Sequence, residues 1–264
     1  MKVVELKRYG RLYSFYLPET WTEITEVQLI EIAPHLLQDS PENRLAILRK
    51  FLTKNIIYLY FRLNAVQVHE IAKQIDWMYS EAMAEPIIPF ITNQKGTKLY
   101  LPTATLGNCV MIEYAFAHFY LQKIMQGDSS YLDFLLVCLC RPQRADYAPD
   151  SPDYAGDRRE KFNPVLLDAR VQLIQKIDAR YKLYLLLFFI GCQKKLAQKF
   201  PAIFAQIEDE VPKDASPYGL LGTIWDLAGS IDKEEQVQYA GLHNTFGFLS
   251  HQHFIAEKVK HANA

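Results

Sequence analysis

The run Leu183-Tyr184-Leu185-Leu186-Leu187-Phe188-Phe189-Ile190-Gly191-Cys192 is apolar on every face of a helix. Such a helix must be enclosed by others or lie in a membrane. A span needs roughly 20 apolar residues and this run offers about ten, so it reads as a buried core helix. Asn163 can cap its start, Pro164 fits the first helical position, and Pro201 marks its end. Upstream of the apolar run, Leu166, Leu167, Val171, Ile174 and Ile177 alternate with Asp168, Arg170, Gln175, Lys176 and Asp178 in an amphipathic pattern. The reading is one helix of about 36 residues, roughly 54 Å long, with any bend at Gly191.

Working outward, the chain has 264 residues, half of them hydrophobic, which is ample for a core. Its 29 basic and 30 acidic residues leave a net charge of −1, so no global field favours nucleic acid or an anionic membrane. Met1 to Lys7 enters alternating residues without an apolar h-region, so the expectation is a cytoplasmic protein with no signal peptide. Cys109, Cys138, Cys140 and Cys192 lie in apolar helical stretches and read as reduced structural thiols.

Val3 to Leu17 alternates as a hairpin with its turn near Gly10, and 87–101 alternates as a second around Asn93-Gln94-Lys95-Gly96. An isolated hairpin is marginal in water, so the two are expected to pair or pack as one small antiparallel sheet. Between them, Thr25-Glu26-Val27-Gln28 has the capping-box form. Ser40-Pro41-Glu42 opens a helix carrying Leu45, Leu48, Leu52, Ile56, Leu59 and Leu63, and Asn64 can cap another running towards Ala84. Helices are also expected from Thr105 to Met125, closed by Gly127, and from Tyr131 to Leu139. The Pro-rich stretch at about 142–162 reads as an exposed loop, and shorter helices are expected at 220–228, 234–240 and 242–259. The fold class is therefore mainly α, a multi-helix bundle around a long buried helix with a minor β element, in a single domain over residues 1–264.

No G-x-G-x-x-G, P-loop or G-x-S-x-G pattern is present. His69-Glu70-Ile71-Ala72-Lys73 begins like a zincin helix, but Lys73 stands where the second histidine ligand is needed. His251 and His253 point about 200° apart on a helix, and His243 lies two turns from His251, so these read as surface histidines. Arg141, Arg144, Arg158, Arg159 and Lys161 are interleaved with acids and make a poor phosphate stripe. The reading assigns no catalytic residue, no cofactor and no metal.

Several phrases, Leu17 to Thr25, Leu139-Cys140-Arg141-Pro142 after Tyr131-Leu132, Phe188 to Cys192, and Ile224-Trp225-Asp226-Leu227-Ala228, together resemble proteins of tailed bacteriophages and prophages. Those proteins are similar to the tail-assembly chaperones that accompany the tape-measure protein. The resemblance implies a non-enzymatic, chaperone-like protein that binds another tail component, with Tyr147, Tyr154, Trp225 and Tyr239 as candidate partner contacts. It implies neither a nucleic-acid nor a membrane partner, and it leaves open the oligomeric state and retention in the finished particle. Two alternatives stay open: a structural virion protein of the neck or tail, and an enzyme with an unfamiliar helical active site.

Overall fold

The long helix is broken. In the computed structural model, which describes residues 2–8, 11–51, 65–148, 150, 156–204, 224, 228–229 and 231–262, helix ends at Ile174 and restarts at Ala179. Asp178 explains the restart: its carboxylate accepts the Arg180 amide at 2.9 Å, an N-cap that opens a new helix. Asn163 does cap the start, accepting the Val165 amide at 3.0 Å with Pro164 in the first turn, and the 3₁₀ turn Pro164–Leu166 runs directly into the helix that ends at Ile174. The break thus lies at 175–178 and not at Gly191, which stays inside the second helix.

In chain order the described elements are β1 (Lys2–Arg8), β2 (Arg11–Leu17), α1 (Glu26–Leu36), α2 (Pro41–Phe51), α3 (Ala65–Ala72), α4 (Trp77–Ser80), β3 (Phe90–Thr92), β4 (Lys98–Tyr100), α5 (Met111–Met125), α6 (Leu132–Leu139), α7 (Leu167–Ile174), α8 (Ala179–Lys199), α9 (Ile231–Gln238) and α10 (Leu242–Ala262). The fold is mainly helical with a minor antiparallel β component. The expected helix from Leu220 lies almost wholly outside the described residues, as does the stretch from Leu52 to Asn64. Contacts divide the chain into two compact units, Met1–Met83 with Asp178–Gly191, and Ala84–Ile177 with Cys192–Ala264. Among the described residues no helix is long and apolar enough to cross a membrane.

The first unit holds β1 and β2, paired antiparallel from Lys2↔Leu17 to Arg8↔Arg11. The capping box at α1 forms as its sequence requires, with Thr25 Oγ1 accepting the Gln28 amide and Gln28 Oε1 accepting the Thr25 amide. Pro34 sits in the last turn of α1 without stopping it. The expected helix from Asn64 to Ala84 is instead α3, a tight 3₁₀ turn Lys73–Ile75, and α4. Trp77 of α4 donates its indole N–H to the Pro18 carbonyl at 3.0 Å and meets Trp21 edge-on at 4.9 Å. The apolar run of α8 buries Tyr184, Leu185, Leu186, Phe188 and Phe189. Gly191 follows because nothing larger fits: a Cβ there would lie 2.8 Å from the Met83 amide nitrogen and closer still to its carbonyl.

The second unit contains β3 and β4, a separate two-stranded sheet in register Phe90↔Tyr100. The two hairpins therefore do not form one sheet. The support the second hairpin needs comes from elsewhere, since Tyr100 and Arg141 exchange backbone hydrogen bonds of 2.8 and 3.2 Å. Helix α5 begins at Met111 and not at Thr105, because Thr105 and Leu106 both take left-handed backbone conformations, φ 52° and 59°. Such non-glycine residues cost on the order of 1–2 kcal/mol each and need outside support. The Thr105 amide donates to Ala84 O at 2.7 Å, and His243 Nε2 lies 2.8 Å from Thr105 O. Lys199 can only donate to His243 Nδ1, 3.0 Å away, so Nε2 carries the imidazole proton and donates to Thr105.

Candidate functional site

Helix α5 carries an acid in its first turn, Glu113, where a carboxylate suits the positive end of the helix dipole. It is 1 % exposed, and so is Arg141, while the Arg159 side chain is fully buried. Arg159 Nη1 donates to Glu113 Oε1 at 2.6 Å and to Leu139 O at 2.8 Å. Arg141 Nη2 donates to Glu113 Oε2 at 3.0 Å, and its Nε to Glu160 O at 2.7 Å. Asp157 takes the outer side of Arg159 at 3.0 Å from both Nε and Nη2, and Asn108 Nδ2 donates to it at 3.0 Å. Cys109 lies one turn before Glu113 and donates its thiol to Oε1 at 3.1 Å.

Two carboxylates and two guanidiniums balance, which is what lets charge stay buried. Burial pushes the Glu113 carboxyl up, but Arg141 and Arg159 outweigh it and hold the group below its ordinary value of 4.5. Burial, with the adjacent Glu113 carboxylate, pushes the Cys109 thiol well above its ordinary value. A carboxylate locked between guanidiniums and a thiol held protonated make a structural lock, with neither a free base nor a nucleophile. The same residues correct the reading of 142–162 as a wholly exposed loop. Its two ends are zipped by Arg144 N to Arg158 O (3.0 Å) and Glu160 N to Pro142 O (2.9 Å), and Arg159 and Phe162 are core residues. Of the interleaved basic cluster, Arg141 and Arg159 are spent on this lock, and Arg158 lies over the rings of Tyr100 and Tyr147 at 4.1 and 4.7 Å.

Of the four candidate partner contacts, Tyr147 is half-buried under Arg158. Tyr239 is half-buried with its hydroxyl donating to Phe162 O at 3.1 Å and the Lys161 ammonium 4.0 Å above its ring. Tyr154 and Trp225 lie outside the described residues.

An open cavity of about 300 Å³ is lined by Gln236, Val237 and Ala240 from α9 and the turn after it, and by Asn244, Thr245 and Phe248 from α10. Phe248 is 55 % exposed, whereas Phe246 is fully buried and meets Tyr114 edge-on at 5.4 Å. Two residues apart on a helix is about 200°, so the two rings must point to opposite sides. That spacing was the available signal for Phe248, which the sequence reading did not single out. One turn pair further on, Ile255 shares the Phe248 side and is 43 % exposed. Among the described residues no three His, Cys, Asp or Glu side chains are grouped to hold a metal ion. The chain matches no protein-family model, no curated protein and no solved structure.

Proposed function

We propose that this chain is a non-enzymatic binding protein whose partner docks at the groove between α9 and α10. The observation that carries this reading is Phe248, a large aromatic ring more than half in water at the mouth of a cavity walled by Val237 and Ala240. Leaving such a ring uncovered gains the fold nothing, and burying its exposed half against a partner contributes on the order of 1–1.5 kcal/mol. An apolar groove between helices is the usual receptor for an amphipathic helix, read through anchors at i, i+4 and i+7. In its biological form the role is chaperone-like handling of another tail component, as the resemblance to tailed-phage proteins suggests. The test is co-expression with the proteins encoded beside it, followed by size-exclusion chromatography with light scattering. The wild type is expected to hold a long helical protein from among them in a soluble complex, and Phe248→Asp to lose it while eluting unchanged by itself. A complex indifferent to Phe248→Asp rules out the groove.

A further inference from the structure

The groove is built on the turn 239–242, and that turn is held at two points, each of which leads back to Glu113. On one side, the Tyr239 hydroxyl donates to Phe162 O, at the end of the strap stem formed by 141–148 and 156–162, beside Phe116 (5.8 Å) and Arg141 (5.6 Å). On the other, Met111 N donates to Ala240 O and Leu242 N to Cys109 O, both at 2.9 Å, flanking the bridge Val110↔Gly241. Cys109 hydrogen-bonds Glu113, and Arg159 Nη2 reaches Asn108 O at 3.4 Å.

We infer that the Glu113–Arg141–Arg159 cluster is a clasp that makes the strap stem and the α9–α10 turn open and close as one cooperative unit. The physical reason is that neither anchor moves alone cheaply. Withdrawing the strap carries Arg159 away and leaves Glu113 buried and half-paired, and the same movement removes the acceptor of Tyr239 and loosens the segment that receives Leu242. Local opening in proteins occurs in such contiguous units, below the cost of global unfolding. The clasp thereby sets the shape of the groove wall, and it stands whether or not the groove binds a partner.

Native-state hydrogen exchange on the full chain tests this. The reporters are the Arg144 and Glu160 amides for the strap and the Met111 and Leu242 amides for the turn, with α6 amides as the reference. In Glu113→Gln the four reporters are expected to accelerate by one common factor, roughly tenfold or more, while α6 keeps its wild-type rate. Tyr239→Phe keeps the ring under Lys161 and removes only the hydroxyl bond. It is expected to accelerate the same four amides together by about fivefold, and it serves if Glu113→Gln does not fold. Acceleration of the strap or the turn alone, equal acceleration of α6, or no acceleration in either variant overturns the clasp.

Discussion

Replacing Arg159 by Met removes one guanidinium from a balanced buried cluster while keeping much of the side-chain volume. The native arginine donates to Glu113 at 2.6 Å, Leu139 O at 2.8 Å and Asp157 at 3.0 Å, with its side chain fully buried. After the change Glu113 and Asp157 face Arg141 alone, so the cluster carries one uncompensated negative charge. Breaking a buried pair from one side costs about 3–5 kcal/mol. An exposed pair would cost under about 1 kcal/mol. Urea unfolding at pH 7 followed by circular dichroism distinguishes these, with the midpoint falling and the slope unchanged. The double variant with Glu113→Gln should lose less than the sum of the single losses, because each single change strands the other's charge. A loss under about 1 kcal/mol in Arg159→Met, or strict additivity in the cycle, refutes the account of this cluster.

Acid should act through the same carboxylate. Glu113 titrates below its ordinary value of 4.5 in the folded chain, so it stabilises above the unfolded value. That contribution is lost as pH falls below about 4.5, and the urea midpoint should decline less steeply over this range in Glu113→Gln. Gly191→Ala places a methyl against the Met83 backbone, so a loss of about 1–3 kcal/mol is expected by thermal or urea unfolding. Thr25→Ala removes one half of a formed capping box and should cost about 1 kcal/mol in the same assay. All four cysteines are buried and unpaired, and burial pushes Cys140 and Cys192 up to about 12. A thiol reagent should therefore label none of them quickly at neutral pH, and all four once urea is added.

What was legible in the sequence followed from local chemistry. The Thr25 to Gln28 capping box, the Gly127 helix stop with φ 101° and the buried face of α8 are each decided within a few residues. The break before α8 was hidden because Asp178 occupies a polar position of an unbroken amphipathic pattern, where a cap and a surface residue look alike. Gly191 looked like the place for a bend, yet its reason is the approach of Met83, more than 100 residues away in the chain. Glu113 and Arg159 could not be paired by inspection, since nothing local distinguishes a buried arginine in a Pro-rich charged stretch from its exposed neighbours. Phe248 was within reach, because Phe246 and Phe248 cannot share a helix face. Recognising which of the two turns outward required knowing that Tyr114 and Phe200 surround Phe246.

The most direct test of the binding reading is a hydrogen-exchange footprint of the purified complex with its co-expressed partner, compared with the chain alone. Protection centred on Val237, Ala240, Asn244 and Phe248 is the predicted result. Protection elsewhere with these residues unchanged, or a chain that stays alone beside that partner, contradicts it.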